Sequence, residues 1–276
     1  NLEFLLKEYK IDGFRFDLSK GFTQTYSSEY VPWAHYDASR IAILTAYNDT
    51  IKAINQSAYL ILEHFADNDE ESVLSARGMM LWGNMTGNYG NAATGNTSSS
   101  NLSGCSYTSR GWAQPNLVGY MESHDEERLM VKCASDGKSW GSYNIKETNT
   151  ALARGGLLAT FFLTIPGPKM IWQFCEMGYD YSINWPSGTG DDRLTPKPPR
   201  WDYLENYERL MLFKDYAGLI DLRTTNPLFA TTDFSLDVSG ALKKIRLRNS
   251  EMSAVALGNF DVKEGNITPD FYSTGT

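Results

Sequence analysis

The sequence predicts an α/β fold: a series of parallel β/α units followed by a short all-β segment. Two patterns carry this expectation. Short apolar strands alternate with amphipathic helical stretches five times along the chain, the order that builds a parallel sheet. After Pro227 the pattern changes to short alternating runs, ALKKIRLR and SAVALGNF, which read as strands.

Leu2, Phe4, Leu5 and Tyr9 recur at helical spacing. The next run, IDGFRFDLS, reads as a strand with Phe14, Phe16 and Leu18 on one face and Arg15, Asp17 and Ser19 on the other, because strand side chains alternate. Residues 36–56 suit a long helix, SAYLILEHF a second strand, 68–77 a helix and GMMLWGN a third strand. The stretch 87–111, rich in Gly, Asn, Ser and Thr, reads as a long surface loop that could enclose a short helix. A fourth strand is expected near 117–123, a helix over 147–162 and a fifth strand over 168–173. The Pro- and Gly-rich stretch 187–201 reads as a loop, and 203–222 as a last helix.

This divides the chain into a β/α part, residues 1–223, and a β domain, 224–276. Asp17 and Glu63, at the ends of the first two strands, are 46 residues apart, which suits one βαβ step. A closed (β/α)8 TIM barrel takes about 250 residues and would need three further units upstream, so the expectation is an incomplete barrel. The chain opens on NLEFLLKEYK, without a start methionine, and closes on NITPDFYSTGT, without a terminating element. Both ends read as cuts within a longer protein whose upstream part would be the missing half of the barrel.

A net charge of -8 and a pI near 5.0 argue against a nucleic-acid partner, since phosphate binding is driven by Lys and Arg. They leave neutral polymers open. No apolar run reaches the length of a membrane span. Cys105, Cys133 and Cys175 are odd in number and widely spaced, suggesting neither a disulfide framework nor a zinc site, although one pair could bridge under oxidising conditions. Six N-x-S/T triplets occur and matter only where the host glycosylates.

The chemistry is concentrated where acids fall on strand ends. Asp17, Glu63 and Asp125 each close an expected strand, and in β/α barrels the C-terminal rim carries the active site. One such acid is ordinarily a helix cap or a solvated group. Three of them, with Arg15 two residues before one and His124 beside another, point to carboxylate chemistry. Glycoside hydrolysis needs two carboxylates flanking the scissile bond; a separation of about 5–5.5 Å means retention of configuration.

The motifs resemble those of the α-amylase superfamily, glycoside hydrolase family 13. DGFRFDLSKGF is similar to its fourth-strand G-x-R-x-D motif through Gly13, Arg15 and Asp17. ILEHF resembles the fifth-strand segment holding the proton donor, here Glu63, and MESHDEER the seventh-strand His-Asp motif, here His124 and Asp125. IPGPKMIWQFCEMG looks like the eighth-strand segment. The resemblance spans roughly residues 1–260 and makes the five strands numbers 4–8 of the barrel.

The resemblance implies a retaining hydrolase of α-1,4-glucans such as starch, glycogen or maltooligosaccharides. Asp17 would be the nucleophile and Glu63 the acid and then base, its proton retained by negative neighbours. Asp125 would hold sugar hydroxyls and favour the distorted ring. Arg15 would pair with Asp17, His124 would bind the sugar, and Lys20 would contact the leaving-group side. No cofactor is required. Gly21 stands where many relatives have a His that contributes to a calcium site, so the sequence does not support calcium. The third-strand Asp-Asn-His motif is absent, and Phe174 and Cys175 replace the Gly-Gln common before Glu176. The segment DDRLTPKPPRWDY reads either as a Pro-stiffened connection or as a loop shaping subsites.

Other candidates have plainer readings. Trp82 and Tyr89 could stack sugars, and Trp82 suits core packing at least as well. His35 and His64 are lone histidines of the structural kind, and Glu70, Glu71, Glu126 and Glu127 suit helix starts. Two further readings stay open: a transglycosidase such as a branching enzyme, using the same intermediate, and a catalytically inactive fragment or carbohydrate-binding remnant. The bulk of the implied substrate points to a secreted or periplasmic location.

Overall fold

A computed structural model describes residues 1–28 and 33–271. Its helices are α1 (Leu2–Glu8), α2 (Ala38–Ile54), α3 (Asn68–Ala76), α4 (Thr86–Thr94), α5 (Leu129–Asp136), α6 (Thr148–Leu163) and α7 (Tyr207–Thr225). The strands are β1 (Gly13–Phe16), β2 (Tyr59–Leu62), β3 (Met80–Asn84), β4 (Leu117–Tyr120), β5 (Ser139–Trp140), β6 (Tyr143–Asn144), β7 (Lys169–Met170), β8 (Asp233–Asp237), β9 (Leu242–Arg248) and β10 (Ser253–Asn259). The five-stranded sheet has the order β1-β2-β3-β4-β7, and a three-stranded sheet the order β10-β9-β8. The chain divides into two compact units, residues 1–83 with 106–119, and residues 84–105 with 120–276.

In the first unit, β1 and β2 pair in parallel from Gly13↔Tyr59 to Phe16↔Leu62, and β2 pairs in parallel with β3. Leu60 and Leu62 of β2 are buried, as are Ile41, Leu44 and Ile51 of α2. The helix starts where Asp37 accepts from the backbone N–H groups of Ser39 and Arg40 at 2.8 and 3.3 Å, a side-chain N-cap that satisfies donors the helix cannot. Burial opposes ionisation of Asp37, but hydrogen bonds from Ser39 and Thr23 outweigh it and hold the carboxyl well below its ordinary value.

Gly13 is required by the sheet itself. A Cβ there would lie 2.2 Å from the carbonyl oxygen of Tyr59 and 2.6 Å from its nitrogen. Only glycine lets the two backbones approach this closely.

The second unit is organised by α6 and the strands after it. Phe161 packs edge-on against Phe260 at 5.1 Å, and Gly258 leaves room for Phe161 and Leu157. β9 pairs antiparallel with both β8 and β10. Ile245 and Leu247 on β9 are buried in the same cluster as Leu158 and Phe162 of α6, the alternation expected of a strand with one face inside.

Several expectations need correction. The stretch 87–111 encloses a short helix, as expected: most of α4, followed by three short 3-10 turns. It is not confined to the surface, since Tyr89, Ala92, Ala93, Leu102 and Cys105 in it are buried. Small side chains there permit close packing, so polarity of composition misled. The alternation expected through Leu18 and Ser19 stops at Phe16: Leu18 is left-handed, at φ 44° and ψ 46°, which leaves Leu18 exposed and Ser19 buried. The last parallel strand is two residues, Lys169–Met170, rather than 168–173. Helix α5 and the β5–β6 hairpin were not expected.

Candidate active site

Asp17 and Glu63 each sit one residue beyond the end of their strand, and the register Phe16↔Leu62 brings them to the same rim. The pairing continues past the strands: Glu63 N–H donates to Phe16 O at 3.0 Å and Ser19 N–H to Glu63 O at 2.9 Å. Arg15 bridges the two acids. Its Nη1 donates to Asp17 Oδ1 at 2.6 Å, and its Nη2 forms an ion pair of 2.9 Å with Glu63 Oε2. The guanidinium also lies 4.2 Å from the ring centroid of Trp82 on β3, a cation–π contact. Trp82 is 8% exposed, so here it supports Arg15 from the protein side.

The accessibilities differ. The Asp17 side chain is 74% exposed and that of Glu63 13%. Glu63 Oε2 also accepts from the backbone N–H of Leu18 at 2.9 Å. Leu18 adopts a conformation costly for a non-glycine residue, and this is the residue that aims its N–H at Glu63. Glu63 Oε2 thus faces both the Arg15 guanidinium and the Leu18 N–H. Lys20 Nζ lies 5.6 Å from the ring centroid of Trp33.

Behind Glu63 is a fully buried chain of polar groups. Ser19 Oγ donates to Glu63 O at 2.9 Å and lies 2.9 Å from His64 Nδ1. His64 Nε2 lies 2.8 Å from Glu70 Oε1. Glu70 accepts from Arg40 Nε and Nη2, both at 2.6 Å, and from the Asp37 N–H at 2.8 Å. Arg40 spends its remaining donors on the carbonyls of Lys20, Trp33 and His35. His64 is therefore a structural histidine, and Glu70 is a buried ion partner that also lies in the first turn of α3. Glu71, beside it, pairs with Arg110 at 3.0 Å; burial pushes its carboxyl up to about 7 against the pull of Arg110. The sequence carried no signal for this network, whose members are separated by up to 51 positions.

In the second unit, Asp125 is held from two sides. His124 Nε2 lies 3.2 Å from Asp125 Oδ2, and Arg193 donates to Asp125 Oδ1. Both His124 and Asp125 are exposed, at 42% and 40% of their side-chain surface. A cavity of about 190 Å³ includes Ser123, His124, Arg128, Trp172 and Arg193 among its walls. The segment rich in Pro and Gly thus contributes Arg193 to the surroundings of Asp125. Glu126 and Glu127 are not helix-start residues, since α5 begins at Leu129 with no acid in its first turn. Glu126 accepts from Ser123 and Asn84, and Glu127 accepts from Ser182 Oγ at 2.6 Å and Ile183 N–H at 3.0 Å. Tyr89 is buried in the core, which removes it as a sugar platform.

All three cysteines are free and buried, and burial pushes the Cys133 thiol up to about 12. Among the described residues no group of three or more His, Cys, Asp or Glu is placed to hold a metal ion, and no helix is long and apolar enough to cross a membrane.

No protein-family model matches the sequence, and no curated protein matches it. Solved structures do match in fold. A Klebsiella pneumoniae pullulanase complexed with maltotriose superposes with a TM-score of 0.66 at 14% identity, over 94% of this chain and 34% of that one. The type III pullulan hydrolase from Thermococcus kodakarensis gives 0.63 at 16%, over 92% and 40%. Amy13B from Eubacterium rectale gives 0.62 at 13%, over 94% and 52%. The chain spans between about a third and a half of the length of these structures. Its fold is that of an incomplete TIM barrel followed by a small β domain.

Proposed function

We propose that this chain belongs to the α-amylase superfamily and forms part of a retaining glycoside hydrolase acting on α-1,4-glucans. The observation that carries the reading is the single guanidinium of Arg15 contacting both Asp17 and Glu63 where two adjacent parallel strands end. That arrangement gathers two acids at a rim, as glycoside hydrolysis requires, and the fold likeness to glucan-degrading enzymes supports it.

In this reading Asp17, the more exposed acid, attacks the anomeric carbon as the leaving oxygen takes a proton from Glu63. A glycosyl-enzyme ester forms on Asp17 and the aglycone departs. Glu63 then removes a proton from water, which attacks the same carbon and frees Asp17, so configuration is retained. Asp125 and His124 hold sugar hydroxyls, and Lys20 contacts the leaving-group side. Arg15 orients the nucleophile. The substrate class is starch, glycogen or maltooligosaccharide, and maltotriose, bound by the Klebsiella pneumoniae pullulanase, is the natural first probe.

The test is turnover of maltooligosaccharides by the complete protein, with the anomer of the first product read by NMR. Asp17→Asn and Glu63→Gln should each abolish turnover, and the first product should have the α configuration. Near-normal activity in either variant, or a β product, would overturn the assignment.

A further inference from the structure

The β5–β6 hairpin presents aromatic surface to solvent that the fold does not use. Trp140 and Tyr143 are directly opposite each other in the antiparallel register, so both side chains leave the same face. Trp140 is 60% exposed and Tyr143 39% exposed. Apolar exposure of this size on a two-residue strand calls for a reason, since a tight turn needs no tryptophan.

The rings are held in place. Arg154, itself 3% exposed, donates from Nη1 to the Tyr143 hydroxyl at 3.2 Å. Its other nitrogens are anchored on the carbonyls of Ala93, Ala92 and Phe260 at 2.8, 2.6 and 2.9 Å. The ammonium of Lys263 lies 4.3 Å from the Trp140 ring centroid. The backbone of the hairpin is tied down as well, through Lys138 N–H to Thr94 O and Ile145 N–H to Lys138 O, both at 3.0 Å.

Between the hairpin and the turn after β10 is an open cavity of about 540 Å³, lined by Trp140, Ser142, Tyr143, Asp261, Lys263 and Glu264 among others. Small-molecule clefts commonly measure about 300–1,000 Å³. The lining combines aromatic rings, a hydroxyl and two carboxylates with one ammonium. Two acids against one base disfavour a polyanion, and the polar groups disfavour a purely apolar partner. A neutral, polyhydroxylated ring fits both halves: its C–H face stacks on an aromatic ring, and its hydroxyls donate to carboxylates.

We propose that the Trp140–Tyr143 hairpin is a carbohydrate-binding platform, sharing no wall with the cavity beside Asp125, that takes a segment of α-glucan. The choice of an α-glucan among neutral sugars rests on the proposed function; the existence of the platform does not.

The test is native electrophoresis of this 276-residue chain in gels containing amylose, with hydroxyethylcellulose gels in parallel. Amylose should retard the chain. Trp140→Ala, with an unchanged circular dichroism spectrum, should weaken the apparent affinity about tenfold, the scale of losing an anchoring aromatic. Trp140→Phe should recover part of the loss. Equal retardation of wild type and Trp140→Ala, or no retardation of either, overturns the proposal. So does a change of oligomeric state on Trp140→Ala without a change in retardation. Retardation by hydroxyethylcellulose instead of amylose, lost with Trp140, overturns the α-glucan as occupant. Turnover by the complete protein without retardation sinks this inference alone, and retardation without turnover sinks the catalytic reading alone.

Discussion

Arg15 Nη2 lies 2.9 Å from Glu63 Oε2 while Nη1 of the same guanidinium donates to Asp17 at 2.6 Å. Two contacts in two directions are what a planar guanidinium supplies and an ammonium, as a single point charge, does not. On the proposed function, Arg15→Lys should therefore lower kcat/KM of the complete protein by about tenfold or more, read in steady-state kinetics on a maltooligosaccharide. Unchanged kinetics would show that the bridge between the two acids is incidental.

The Arg40–Glu70 pair is 1% and 0% exposed. Removing one partner leaves a charge buried without its counterion, which typically costs about 3–5 kcal/mol. Arg40→Met should lower the stability of the chain by that amount in urea denaturation, with the loss compounded by the carbonyls of Lys20, Trp33 and His35 that Arg40 satisfies. A denaturation midpoint close to wild type would mean that the buried charge relaxes into solvent.

Glu71 makes stability depend on pH. Its carboxyl is raised from 4.5 to about 7, chiefly by burial. Between these values the folded state holds a proton that the unfolded state has lost, so stability falls as pH rises through the window. The cost is complete above about 7 and absent below about 4.5. Glu71→Gln should flatten this slope, and the difference from wild type should change by up to about 3 kcal/mol between the two ends. Denaturation at pH 4 and pH 8 measures it, and parallel pH profiles for the two proteins would reject it.

Gly13→Ala tests the strand pairing. With the added Cβ facing Tyr59 backbone atoms at 2.2 to 2.8 Å, β1 and β2 must separate. Overpacking of this kind costs about 1–3 kcal/mol, and because the clash is with backbone the upper end is expected. Thermal denaturation reads the stability, and, on the proposed function, turnover by the complete protein reads the spacing of Asp17 and Glu63. A variant as stable as wild type would mean that the strands tolerate a wider gap.

Periodicity along the chain was enough to place most of the helices, the parallel strands and two of the three strands after Pro227, β9 and β10, because 3.6- and 2-residue repeats are local properties of the backbone. It also put Asp17 and Glu63 at strand ends. What it left open depends on groups distant in sequence. Ser19, His64, Glu70 and Arg40 form one buried chain because β1, β2, α2 and α3 fold together, and no spacing rule encodes that. The stretch 87–111 looked like a solvated loop because Gly, Ser and Asn are polar or small. Its burial is a matter of what packs on it, as Tyr89 against Phe162 shows. The exposed face of Trp140 likewise has no signature in a window of sequence, since whether a ring lies inside or outside is decided by its neighbours in space.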